Sequence, residues 1–169
     1  MEEQDHQAAA AVVARRLIDA NRYMTLATAD VEGRPWASPV FYAPDGYREL
    51  LWVSEPSQRH SHNLAVRPGL GIVIFDSTVA VGAARAVYVD ADAEEVTGED
   101  VERGMEIYSR RTLETGGRAW DASDVLPPAR LRLYRARALE VSVLDYFLDT
   151  GPGDRRIVVP PEILDPPRA

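Results

Sequence analysis

The chain has 169 residues, 46% hydrophobic and 27% charged, ordinary values for a globular domain of this size. Its net charge of −8 argues against nucleic-acid binding, which needs a basic face. There is no cysteine, which excludes disulfides, thiolate nucleophiles and cysteine-ligated metals; all 19 basic residues are arginines, which excludes Schiff-base chemistry on lysine. The acidic, polar start MEEQDHQ is unlike a secretory signal, and no apolar run approaches the ~20 residues of a membrane span. A soluble, cytoplasmic protein is the expectation. Any anionic ligand must be held by a local arrangement, because the overall field repels it.

The pattern opens with an amphipathic helix over residues 2–22, where Ala10, Val13, Ala14, Leu17 and Ile18 recur at helical spacing. Strand-like segments follow at 23–29, 36–43 and 49–54, joined by turns around Gly33 and around Pro44-Asp45-Gly46, so an antiparallel meander is predicted. Ser57 is placed to cap a short helix over 58–66, which Pro68 and Gly69 end. The apolar run 71–75 predicts a buried strand, and 86–96 alternates with Val87, Val89, Ala91 and Ala93 on one face. A second helix is predicted over 99–113, with Val101, Met105 and Tyr108 as its stripe and Ile107 off that line. A polar stretch, 114–128, leads to a last long strand, 130–144. The Pro- and Gly-rich tail, 149–169, is expected to be extended or poorly ordered, outside a single domain of residues 1–148. About six strands with two or three helices predict an α+β, mainly β domain: an antiparallel, closed or nearly closed split β-barrel with flanking helices.

Residue types depart from structural need in the segment 52–64, WVSEPSQRHSHNL. A strand ends, a serine-containing turn follows, and a helix opens with Arg59 and His60 in its first turn. A helix start presents unpaired N–H groups and partial positive charge, so carboxylates are its usual companions and cations oppose it unless an anion sits among them. Ser54 and Ser57 add hydroxyl donors. The same residues also read as a plain N-cap at Ser57 and a solvated arginine at Arg59. Metal binding is not expected: His60 and His62 are two apart rather than four, and the alternating Asp90, Asp92 and Glu94 lack the glycine and ligand count of a calcium loop. No Gly-x-Ser-x-Gly elbow is present, and 151–154 reads as a turn, not a phosphate loop.

From residue 23 to about 96 the chain resembles the FMN-binding split-barrel superfamily typified by pyridoxamine 5′-phosphate oxidase. The resemblance lies in a succession: Thr25-Leu26-Ala27-Thr28, Gly33-Arg34-Pro35, Ser38-Pro39-Val40, Ser54, the stretch from Ser57 to His60, then Asn63, Leu64 and Pro68. It implies that Arg59 and His60 stand where an Arg-Lys pair holds the FMN phosphate, with Ser54 and Ser57 as supporting donors. His60 in place of lysine is a departure. The resemblance also implies that Ser38, Pro39 and Val40 lie along the flavin ring edge, and that Arg85 falls near a position where a glutamine contacts the flavin. The cofactor groove of this family lies between two subunits, which implies a homodimer, with Trp120, Arg130, Arg132 and Tyr134 as candidate contributions from the partner chain.

The resemblance implies an FMN-dependent oxidoreductase acting on a small molecule, with catalytic residues unassigned. Pyridoxamine 5′-phosphate oxidation itself is disfavoured, because the family's C-terminal Arg-x-His pattern is matched only by Arg130-Leu131-Arg132, without the histidine. The alternatives are a reductase of the same fold using the deazaflavin F420, and a non-catalytic protein that holds flavin or haem.

Overall fold

The computed structural model describes residues 3–144 and 156–165. In chain order these form α1 (Glu3–Ala20), β1 (Tyr23–Ala29), β2 (Pro35–Phe41), β3 (Ala43–Asp45), β4 (Glu49–Ser54), α2 (Arg59–Val66), β5 (Gly69–Phe75), β6 (Ala86–Glu95), α3 (Asp100–Glu114), a 3-10 turn at Ala122–Asp124, β7 (Arg132–Leu144), β8 (Arg156–Val158) and α4 (Pro161–Leu164). The strands make one antiparallel sheet in the order β2-β1-β5-β6-β7-β4-β3, with β8 added to β7.

The two ends of that order, β2 and β3, are consecutive in the chain and separated by Tyr42 alone. The sheet therefore curls back on itself into a split barrel. The predicted strand 36–43 is two strands because Tyr42 and Ala43 are both fully buried, which breaks the in–out alternation and turns a corner. This corner also undoes the predicted meander. β1 and β2 pair as expected, Tyr23 with Phe41 through Ala29 with Pro35, but β4 pairs with β3 and β7.

Alternation elsewhere fixes the inward face. Met24, Leu26 and Thr28 of β1, and Val87, Val89, Ala91 and Ala93 of β6, point into the core. Helix α1 lays Ala10, Ala11, Ala14 and Ile18 on that core, all fully buried. A second, smaller core lies under α3, where Val101, Met105, Ile107 and Tyr108 meet Ala43, Leu51 and Leu133. Ile107 is thus buried along with the predicted stripe. Gly104 lets α3 approach β7 closely, since a Cβ there would stand 2.6 Å from Leu133 Cδ2.

The C-terminal residues depart from the expected extended tail. β8 pairs with the end of β7, and Val159 and Leu164 enter the main core at 2% and 1% exposure. Arg15 secures α4 by donating to the Ile163 carbonyl at 2.7 Å. The predicted turn at 151–154 lies outside the described residues.

The last carbonyls of α1 would be orphaned, as at any helix C-terminus. Here three different groups take them: Asn21 Nδ2 donates to Leu17 O (2.8 Å), the Tyr42 hydroxyl to Ile18 O (2.6 Å), and Arg111 to Asp19 O (2.7 Å). The Tyr42 bond is fully buried, and burial pushes its hydroxyl pKa far above the ordinary tyrosine value, so it stays a donor throughout the physiological range. Tyr42→Phe leaves the Ile18 carbonyl without a partner. The expected loss is ~1–3 kcal/mol of unfolding free energy in a urea titration, with native far-UV circular dichroism.

Candidate functional site

Helix α2 plugs one end of the barrel, and its inward side chains carry the polar chemistry. His60, Ser61, Asn63 and Leu64 are buried. Asn63 Nδ2 donates to Thr28 Oγ1 at 2.9 Å, and Thr28 Oγ1 in turn donates to Trp36 O at 3.3 Å, which fixes the helix on β1 and β2. His60 lies between two serines: its Nε2 is 2.8 Å from Ser54 Oγ on β4, and its Nδ1 is 3.2 Å from Ser38 Oγ on β2. Three residues singled out from the sequence thus form one hydrogen-bonded unit, Ser38–His60–Ser54, with Ser38, His60 and Ser54 only 8%, 7% and 8% exposed.

Burial lowers the His60 pKa below its ordinary 6.5, so the ring is neutral at pH 7. A neutral imidazole donates through one nitrogen and accepts through the other. One serine therefore donates to the ring while the other accepts from it, and the accepting serine keeps a hydroxyl hydrogen for an outside acceptor. Both ring nitrogens are occupied by the serines.

The start of α2 is open. Its N-cap residue is Gln58, whose side chain makes no capping bond, and no acidic residue occupies the first turn. Ser57, expected as the cap, donates instead to the Glu55 carboxylate at 3.2 Å, because Glu55 is held over the turn by Arg130 at 3.3 Å. Arg59 is exposed, with its guanidinium 4.4 Å from the centroid of the Trp36 ring. Trp36, itself 41% exposed, shares the inward phase of Ser38 and Val40 but stands at the strand end, at the barrel mouth. The sequence reading missed it; the signal was an aromatic in phase with Ser38 and two residues ahead of it. Pro39 is exposed and Val40 points into the core. β2 ends the strand order, so one of its main-chain edges meets no strand among the described residues.

Arg85 and Trp120 stand elsewhere in the chain. Thr25 pairs with Val73, so Phe75 and the loop after it run toward the Tyr23 end of β1, whereas Trp36 pairs with Thr28 at the other end. Arg85, just before β6, lines a cavity of about 310 Å³ there with Arg16, Leu17 and Asp76. Trp120 packs on α3, edge-on to Tyr108 at 5.5 Å with Arg118 over its face at 3.7 Å, and its N–H donates to Ser109. Arg132 donates to carbonyls of the loop before it, including Ala129 O at 2.7 Å, and Tyr134 stacks on Trp52 at 5.6 Å. Neither Arg85 nor Trp120 is brought to the serine–histidine unit within one chain. No metal-ligating cluster occurs among the described residues, and no helix among them is long and apolar enough to cross a membrane.

The family model for pyridoxamine 5′-phosphate oxidase matches residues 12–142. Solved structures share the fold. A haem-binding protein from Mycobacterium smegmatis superposes with a TM-score of 0.70 at 22% identity, over 91% of this chain and 59% of that one. The haem storage protein HutZ from Vibrio cholerae gives 0.61 at 22% identity, over 73% and 86%. An F420 reductase gives 0.57 at 18% identity, over 76% and 94%. This chain thus spans about three fifths of the M. smegmatis protein. No curated protein matches the sequence.

The buried, neutral His60 makes stability depend on pH in a defined direction. Its folded pKa is below the unfolded 6.5, so its contribution is complete above about pH 6.5 and is lost as pH falls from there through the folded pKa. Urea unfolding between pH 7.5 and 5 should show stability falling below pH 6.5, and the fall should be shallower in His60→Gln. An imidazole resonance of His60 titrating at or above 6.5 contradicts this.

Proposed function

This chain belongs to the pyridoxamine 5′-phosphate oxidase family, and from that premise we propose that it binds FMN and serves as a flavin-dependent oxidoreductase. One observation carries the proposal: Ser38, Ser54 and His60 converge beside an uncapped helix start whose first turn holds Arg59 and no carboxylate. The donor set suits a phosphate. Arg59 offers a charge-assisted fork, the first-turn N–H groups and the partial charge of α2 favour an anion, and the serine–histidine unit has one hydroxyl hydrogen to give. The exposed Trp36 beside Arg59 adds an aromatic surface, and the open edge of β2 offers main-chain groups to a ring.

A bound flavin supplies hydride and electron transfer, and the chain supplies binding and orientation. In this reading Arg59 and the start of α2 hold the phosphate, whichever of Ser38 and Ser54 accepts from the ring donates its hydroxyl hydrogen to it, and His60 keeps both serines in place. The neutral His60 leaves Arg59 as the principal cation. A homodimer completes the groove, with Arg85 and Trp120 reaching the flavin from the partner chain. The deazaflavin F420 presents phosphate on a longer tail and suits the same donors.

Titration of the purified chain with FMN, followed by flavin fluorescence, tests the assignment. Arg59→Ala should weaken binding several-fold to a hundredfold, ~1–3 kcal/mol for a lost charge-assisted pair, and Ser54→Ala should weaken it by less. Equal affinity in the parent and Arg59→Ala would falsify the phosphate placement. Binding of F420 but not FMN assigns the deazaflavin instead, and a retained flavin that neither NADH nor NADPH reduces assigns a carrier.

A further inference from the structure

The opposite side of α2 faces a second cavity, of about 460 Å³, between the helix and strands β6 and β7. Its volume falls within the range of small-molecule sites. Leu64 and Ala93 supply apolar wall, His62 stands among the lining residues on the exposed side of the helix, and Ser61 and Tyr134 bring two hydroxyls, of which that of Ser61 is buried. Ser61 is 4% exposed, yet its Oγ has no hydrogen-bond partner among the described residues. Burial raises the Tyr134 pKa, and the Ser61 hydroxyl beside it opposes that rise, but the two groups are not aligned in a well-formed hydrogen bond. An unsatisfied buried hydroxyl is costly, so a site that keeps one in a cavity wall gains by receiving a partner there.

The charges around the cavity restrict that partner. Glu94 and Glu95 line it and no arginine does; the guanidinium groups of Arg135 and Arg137 reach Glu94, each at 2.8 Å, without lining the space themselves. An anion entering would meet carboxylates and no arginine. We propose that this cavity is a second ligand site, distinct from the serine–histidine unit, for a small uncharged and largely apolar molecule that carries one carbonyl oxygen, received by the hydroxyls of Ser61 and Tyr134. The site is independent of the flavin assignment, since it shares no residue with the donor set above.

Acetophenone, one ring with one carbonyl, serves as the probe, and benzoate as its anionic counterpart, each titrated into the full-length ¹⁵N-labelled chain. Acetophenone should give saturable amide shifts at Ser61, Leu64, Ala93 and Glu95, with benzoate at least tenfold weaker. Tyr134→Phe should weaken acetophenone about fivefold, the loss of one neutral hydrogen bond. Ala65→Phe, a substitution at an exposed position in the cavity wall, should abolish the shifts while the fold is kept, so the test stands even where Tyr134→Phe does not fold. Shifts that do not saturate, that survive Ala65→Phe, or that benzoate produces equally would overturn the proposal. Displacement of acetophenone by FMN would overturn its being a separate site.

Discussion

The buried hydroxyl of Tyr42 bonds the Ile18 carbonyl at 2.6 Å, and at this residue the chain leaves one end of the sheet and begins the other. One side chain thereby closes α1, marks the barrel corner and ties the helix to that corner. The consequence for the site is direct. Ser38 belongs to β2, the first strand of the sheet order, and Ser54 to β4, next to the last. In a flat sheet of this order four strands would stand between them, a separation of roughly 24 Å. Because the sheet closes at Tyr42, a single imidazole spans the gap. His60 is held in place by the closure as much as it holds the two serines.

Much of this was legible in the sequence because local pattern and tertiary environment agree. The strands at Tyr23–Ala29 and Glu49–Ser54 have their predicted bounds, and the inward face of β6 is the predicted one. What was hidden depends on contacts distant in sequence. Tyr42 and Ala43 read as the end of one alternating strand, and only their joint burial shows a corner. Val159 and Leu164 sit among prolines and glycines whose composition suggests no packing, yet a core open at that end takes both. Ser57 has the right residue type for a cap, but Glu55 competes for its hydroxyl, and such competition has no sequence signature. The family resemblance assigned Ser38 to the ring edge and Ser54 and His60 to the phosphate of one ligand, but not their mutual hydrogen bonds; their chemistry alone read first as an N-cap and a solvated arginine.

Charge placement bears on how so acidic a chain could hold the proposed anion. Among the described residues seven arginines pair with carboxylates: Arg34, Arg103, Arg118, Arg130, Arg132, Arg135 and Arg137. Arg135, only 8% exposed, bridges Glu94, Asp100 and Glu49 and so joins β7 to β6, α3 and β4, while Arg137 shares Glu49 and Glu94. Arg34 closes the first hairpin through Asp30, whose carboxyl it holds below the usual range. Such exposed pairs contribute little stability singly. They neutralise carboxylates; Arg59 instead has the face of Trp36 as its partner and makes no ion pair among the described residues. A guanidinium over an indole keeps its charge and its in-plane N–H donors. The net field repels anions at long range, but inside a Debye length the local donors decide.

Where the family resemblance implies a lysine, a histidine at position 60 exchanges one kind of stability for another. A lysine ammonium buried between two serines would need an anion beside it, and without one its desolvation would oppose the closed barrel. Neutral imidazole is satisfied by the serines alone, so the two edges of the barrel stay bridged whether or not a ligand is present. The unit then offers an acceptor one hydroxyl hydrogen in place of a full positive charge. In the proposed reading, recognition of a phosphate therefore falls on Arg59 and the start of α2, while the buried unit sets where those groups stand. Any ligand bound there acts on closure as well as on its own contacts, because it engages a geometry that exists only when β2 and β4 are brought together.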